Sequence, residues 1–261
     1  MRKSLVCSAS VLGLLFAAAC GGGDGGSSAP SRSSSAPAAA PAATGPTAGT
    51  AGVHGAITFE GEAPKSKKIG MGADPVCQAA HEGPVVSDVV MVNDNGTLKG
   101  VFVYVKSGLE GKTYAVPAEE VTLDQEGCQY TPHVLGMQAK QTLKILNSDD
   151  TLHNVHALPA TNDPFNIAMP KFLKKKEVTF DSPEIMIRVK CEVHPWMGAW
   201  IGVTDHPFFS VSDGTGSFSV AGLPAGDYTI EAWHEKYGQL TEQVTLADDE
   251  VKELSFGFKA N

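Results

Sequence analysis

Residues 184–204 read Glu184-Ile-Met-Ile-Arg-Val-Lys190-Cys191-Glu-Val-His194-Pro195-Trp196-Met197-Gly198-Ala-Trp-Ile-Gly-Val-Thr204. The run before Cys191 alternates apolar and polar side chains, which predicts a strand ending at the cysteine. Pro195 and Gly198 favour a tight return into a second strand-like run from Ala199 to Thr204. A short loop between two strands can turn Cys191, His194 and Met197 toward one point. Their spacing is Cys-x2-His-x2-Met. Thiolate and thioether favour Cu(I), and imidazole tolerates Cu(II), so this donor set suits a mononuclear copper ion. A second imidazole has to come from elsewhere in the chain.

It has a source upstream, in Ile145-Leu-Asn147-Ser-Asp149-Asp-Thr-Leu-His153-Asn154-Val155-His156. Asn-x-Asp followed by His-Asn-Val, together with Cys-x2-His-x2-Met, resembles the cupredoxins, the type 1 copper proteins. The ligand loop is most similar to that of amicyanin, in both spacings and in the proline after the histidine. The resemblance covers residues 125–205. It implies one type 1 copper held by His153, Cys191, His194 and Met197, and an electron carrier rather than an enzyme. It also implies that the His194 edge is the electron portal, with Pro195 and Trp196 as an apolar docking rim for a redox protein. Asn154 is then expected to hydrogen-bond the ligand loop and hold it closed.

Two positions stay open. His156 is the alternative first ligand; on a strand, residues 153 and 156 point to opposite faces, so one of them shares the site. Met169 competes with Met197 as the thioether. Taken singly, a His-x2-His is a common surface coincidence and a lone cysteine is commonly a buried apolar thiol. The order and spacing of the whole set are what single it out.

The 261-residue chain begins with a basic Met1-Arg-Lys and an apolar run from Leu5 to Ala19, too short to span a bilayer comfortably. Ala17-Ala-Ala19-Cys20 followed by glycines resembles the lipobox of bacterial lipoproteins, with Ala17 where leucine is usual. That resemblance implies a signal over 1–20, a lipid on Cys20, and an exported protein attached to a membrane in the cell envelope by that lipid alone. Residues 21–52 are Gly, Ser, Ala, Pro and Thr with almost no large apolar side chain, and read as a tether.

The remainder shows recurrent short β-like runs: 55–60, 85–92, 100–106, 120–124, 141–146, 177–180 and 185–190. Asn93-Asp-Asn-Gly96 reads as a hairpin turn and residues 78–81 as a single helical turn. The fold class is all-β: a cupredoxin-like Greek-key sandwich over 53–205, then a second small sandwich over 206–261. The second assignment rests on Gly216-Ser-Phe-Ser-Val-Ala-Gly-Leu-Pro-Ala-Gly226-Asp-Tyr-Thr-Ile-Glu-Ala232, which resembles the carboxypeptidase regulatory-like module of transthyretin type. Gly55-Ala-Ile-Thr-Phe-Glu60 resembles that module's first strand, so the first strand is expected to pair with the C-terminal module.

Five cysteines sort by place. Cys7 lies in the signal, Cys20 takes lipid and Cys191 takes metal. Cys77 and Cys128 remain, and in an exported chain they are expected to form a disulfide. The rival is a thiol pair in a second metal site with His81 and His133. His54, His133, His206 and His234 otherwise read as structural, and Trp233 as core. The lysines from Lys174 to Lys176 make a basic patch that suits a solvated loop or an acidic redox partner.

The net charge of −9 argues against nucleic acid, as does the absence of a basic stripe. No Cys-x-x-Cys-His for haem and no phosphate-binding glycine loop is present. A copper-delivery protein without electron transfer and a metal-free scaffold are the alternative functions.

Overall fold

A computed structural model of the chain describes residues 49–260. The expected signal, the lipidated Cys20 and most of the tether lie outside those residues. The regular structure of the described part is almost entirely strand. In chain order it runs β1 (Ala51–Glu60), α1 (Pro75–Ala79), β2 (Met91–Val92), β3 (Leu98–Lys99), β4 (Phe102–Ser107), β5 (Val121–Glu126), β6 (Gln129–Thr131), β7 (Val134–Gln138) and β8 (Leu143–Asn147). It continues β9 (His153–Leu158), β10 (Phe165–Met169), β11 (Lys175–Val178), β12 (Glu184–Lys190), β13 (Gly198–Thr204), β14 (Phe209–Val211), β15 (Ser217–Leu223), β16 (Gly226–His234), β17 (Gly238–Leu246) and β18 (Val251–Lys259).

These strands make two sandwiches. The first faces the sheet β10-β9-β12-β13-β7 with β11-β8-β5-β6. Alternate side chains of both sheets enter one core, including Leu123, Met137, Leu143, Ile145, Val155, Val189 and Ile201. The second faces β15-β1-β18 with β14-β4-β16-β17. Its core holds Ile57, Val103, Val105, Phe218, Ile230 and Phe256.

β1 lies between β15 and β18, antiparallel to one and parallel to the other. β4 lies between β14 and β16. Strands from the N-terminal hundred or so residues therefore sit inside the sheets built by residues 209–259, and the strand partners do not divide at residue 205. The tether's expected end at 52 also falls within β1, because Ala51 and Val53 are buried in that sandwich.

The sandwiches meet where Phe102 of β4 lies against two glycines that pair across β7 and β13, Gly136 and Gly202. A Cβ on Gly202 would stand 2.5 Å from the Phe102 ring, so only glycine admits it. Met186 joins the same cluster from a register shift in β12 between Glu184 and Ile187, where its φ is 64°. The irregularity turns one side chain of the alternating run out of the first core and onto the second sandwich.

Two local expectations differ from the structure. Of the run 85–92, only Met91–Val92 is strand; Val86 makes an isolated bridge to Lys68. Pro84 lacks a donor, Ser87 and Asp88 interrupt the run, and Val86 and Val89 remain exposed. The helical turn begins earlier than expected, at Pro75, because Asp74 caps it by accepting from the N–H groups of Val76 and Cys77. The hairpin at Asn93–Gly96 joins β2 to β3, with Gly96 at φ 77°.

A buried ionic cluster also spans the two sandwiches. The His133 ring, preceding β7, meets the Glu235 carboxylate through Nε2 and Asp88 through Nδ1 at 3.2 Å. Burial opposes its charge, but the two carboxylates outweigh that and push its pKa up to about 10. A histidine with a raised folded pKa stabilises fully below its unfolded value, about 6.5. The contribution is lost as pH climbs through about 10. Urea unfolding at intervals from pH 6.5 to 10.5 is therefore expected to show falling stability, and His133→Gln is expected to flatten that slope.

Candidate metal centre

β12 carries Cys191 out at its end, and the return to β13 is short. Cys191 N–H donates to the Met197 carbonyl at 3.3 Å, and Met197 N–H to that of His194 at 3.0 Å. These bonds close the loop, so Cys191, His194 and Met197 are all drawn inward and buried. His153 opens β9, the neighbour of β12, and is fully buried. The donor atoms of His153, Cys191 and His194 all lie within 4.8 Å of one another. His194 N–H also donates to the Cys191 sulfur at 3.4 Å.

The two imidazoles face each other through Nδ1, 2.9 Å apart. Each commits its other nitrogen to a carboxylate. His153 Nε2 lies 2.8 Å from Asp149 Oδ2, and His194 Nε2 lies 3.1 Å from Asp74 Oδ2. That network assigns the proton of each ring to Nε2. Two Nδ1 lone pairs then converge beside a sulfur, an arrangement that repels itself unless a cation sits among them. A proton can play that part: burial opposes it, but Asp149 and the Cys191 sulfur raise the His153 pKa to about 9. Burial and the positive His153 meanwhile hold His194 below its ordinary value, against the pull of Asp74. Burial disfavours the Cys191 thiolate too, yet His153 and backbone N–H groups of Asn154 and His194 lower its pKa overall. A thiolate and two imidazole nitrogens presented together fit a soft or borderline metal ion.

Asn154 ties the two strands at this point. Its Oδ1 accepts from Glu192 N–H at 2.6 Å and faces the Cys191 sulfur at 3.4 Å, while its Nδ2 donates to Asn166. His156 falls on the other side of β9. It pairs with Glu192 at the surface, 2.6 Å away, and is not among the converging donors. Met169 stands opposite His153 across the β9–β10 pair, but its sulfur faces Gln125 Nε2 at 3.2 Å. Met197 shares the buried cluster with Cys191.

Cys77 and Cys128 are bonded to each other. His81 lies against the Gly127 carbonyl and His206 against that of Val105, so both are structural in their contacts. His54 is exposed and His234 is buried.

The rim differs from expectation. Pro195 is exposed, but Trp196 is half-buried and donates to the Cys128 carbonyl at 3.0 Å. The edge of His194 is not open: Asp74 and the Cys77 sulfur, 3.5 Å from Nε2, cover it. Neither Asp74 nor Asp149 stands out as a site residue in the sequence. Asp149 lies within the quoted Asn-x-Asp, four residues before His153. Asp74 carries only a capping signal, Asp-Pro, and is 120 positions from the ring it meets.

Taken together, the described residues form an all-β protein with a buried Cys/His/His cluster suited to a single soft metal ion. No family model and no curated protein matches the chain. Several solved structures are similar to parts of it. A purple cupredoxin from Nitrosopumilus maritimus is 18% identical with a TM-score of 0.28, over 32% of this chain and 99% of its own. The Cu(I) form of an amicyanin carrying a Met-to-Ala substitution is 18% identical with a TM-score of 0.29, over 39% and 97%. A Cu-containing nitrite reductase from Thermus scotoductus SA-01 is 20% identical with a TM-score of 0.30, over 37% of this chain. That match spans only 25% of the reductase chain.

Proposed function

We propose that this chain is a cupredoxin-like mononuclear copper protein that carries single electrons in the cell envelope, tethered through a lipid on Cys20. The observation that carries the reading is the pair of imidazole Nδ1 atoms facing each other 2.9 Å apart beside a buried cysteine. Copper, when bound, supplies the Cu(II)/Cu(I) couple. Cys191 as thiolate, the His153 and His194 imidazoles and the Met197 thioether would hold it. The Gln125 contact to Met169 leaves Met197 as the better free thioether.

The chain's own residues keep the donor set in place through a change of charge. Asp149 and Asp74 fix the two rings, Asn154 fixes the cysteine loop, and the sandwich core excludes water. A site that moves little between oxidation states loses little energy to reorganisation. The second sandwich, read as a regulatory-like module, serves as the frame on which the copper sandwich is packed.

A visible and electron paramagnetic resonance spectrum of the copper-loaded chain tests this. An intense thiolate-to-copper band is the expected result, and its absence removes the proposal. Met197→Leu is expected to keep the band and shift the reduction potential, because a thioether would tune the potential while the band belongs to the thiolate. His156→Ala is expected to leave both unchanged, whereas His153→Ala should lose the band.

One observation favours a second reading. With its outer edge covered by Asp74 and Cys77, His194 offers a partner no open ring. A copper-holding or delivery protein would suit such a closed site. Tight copper binding with no electron exchange to small redox proteins would select that reading.

A further inference from the structure

We propose that Asp74 is the residue that positions His194, and that the Cys77–Cys128 disulfide is the fastener that keeps Asp74 in place. The role toward copper rests on the function proposed above; the geometry of the ring does not.

The contacts form a closed circuit. Asp74 Oδ2 meets His194 Nε2 at 3.1 Å and accepts from the Thr151 hydroxyl at 3.0 Å. Its Oδ1 caps α1, accepting from Val76 N–H at 2.8 Å. The same carboxylate therefore starts the helical turn and grips the ring. Cys77, in that turn, is fully buried with its sulfur 3.5 Å from the same ring nitrogen. Its partner Cys128 donates its N–H to Asp149 Oδ2 at 2.8 Å, the oxygen that faces His153. The Cys128 carbonyl accepts from Trp196, whose ring lies 5.1 Å from His194. One covalent link thus joins the carboxylate on His194 to the carboxylate on His153.

The remaining surroundings show why the link matters. A helix of five residues has too few internal hydrogen bonds to hold itself. Exposed Val76 adds little packing. The buried disulfide and the Asp74 contacts fasten α1 across the ring, with buried Met71 before it and the His81 contact to the Gly127 carbonyl after it. A carboxylate on the outer nitrogen of a ligand histidine fixes the tautomer and raises its basicity, and its loss typically costs about 10–100-fold in metal affinity.

The test uses the full chain without metal and the copper-loaded chain. Diethyl pyrocarbonate modifies accessible imidazole nitrogens, and peptide mass spectrometry locates the product. In the oxidised, metal-free chain, His194 is expected to react at least about tenfold more slowly than exposed His54. Asp74→Ser keeps a helix-capping oxygen but is too short to reach the ring, and should bring His194 toward the His54 rate. Reduction by a phosphine, which takes oxygen from water as the two thiols form, should do the same. His206, buried against Phe208, reports unfolding and should stay unmodified throughout.

If Asp74→Ser exposes His206, Asp74→Asn carries the same comparison: its Oδ1 can keep the cap while its Nδ2, a donor, replaces the oxygen that accepts from the ring. In the copper-loaded chain, Asp74→Ser should weaken copper about 10–100-fold, as judged by competition with a chelator. His194 reacting as fast as His54 in the oxidised wild type overturns the proposal. So does an Asp74→Ser chain with unchanged reactivity and affinity. A chain that binds no copper but shows the reactivity pattern keeps Asp74 in this role and refutes the copper reading alone.

Discussion

Cys191→Ser is expected to abolish the thiolate-to-copper band completely and to weaken copper by more than the roughly 10–100-fold that follows loss of a hydrogen bond to a ligand. The sulfur is the one anionic donor in the cluster; His153 and His194 bind as neutral rings. Neighbouring His153 and backbone N–H groups already bias it toward thiolate against the cost of burial. A serine hydroxyl in the same place stays protonated near neutral pH and offers a hard, neutral oxygen. The fold should survive, because the hydroxyl can take over the contact to Asn154 Oδ1 now made by the thiol. A stability change within about 1–3 kcal/mol is the expected cost of a buried polar group with an imperfect partner. Titration with copper followed by visible absorption, with urea unfolding alongside, separates loss of the ligand from loss of the fold. A retained band of full intensity would mean that Cys191 is not the donor.

Cys77→Ala/Cys128→Ala is expected to carry the largest loss of stability. The two positions are 51 residues apart. A closed loop of that length corresponds to about 4 kcal/mol in the chain-entropy picture. Both sulfurs are fully buried in the first core, so alanine also leaves unfilled space. Chemical denaturation of the oxidised, reduced and doubly substituted chains measures the loss. A difference below about 1 kcal/mol, a quarter of the chain-entropy figure, would show that the core and the Asp149 contacts to Gly127 and Cys128 hold the segment without the bond.

Much of this is legible in residue order. Period-two alternation in 184–190 and the paired breakers Pro195 and Gly198 predict a strand, a loop and a strand, and β12 and β13 flank the loop as expected. The opposite facing of residues three apart on β9 separates His153 from His156, which goes to Glu192. What is not legible depends on contacts between distant segments. Nothing local marks Asp74 as a partner of His194, because its sequence signal is that of a helix cap. The covered edge of His194 follows from where α1 is fastened, which only the three-dimensional path of residues 61–90 decides. The valines from 85 to 90 suggest strand by composition, yet they meet only a single bridge to the segment around Lys68, and propensity yields to that context. The division of strands is partly legible: β1 pairs with β15 and β18, in keeping with its resemblance to the module's first strand, but nothing local marks β4 as a neighbour of β14 and β16.

The placement of β1 between β15 and β18 bears on how the polypeptide must be made. When β1 leaves the ribosome, the segments that flank it are more than 150 positions from being synthesised. Until they arrive, both of its edges offer open N–H and C=O groups to any other extended chain. Pairings this distant close slowly, since the loop entropy is lost before the contacts repay it. A fragment stopped at residue 205 would keep that state permanently, with β1 and β4 each lacking both sheet neighbours. Removing residues 49–107 as well would take Asp74 and Cys77 from the metal site, so the chain has to be kept whole to the end of β18.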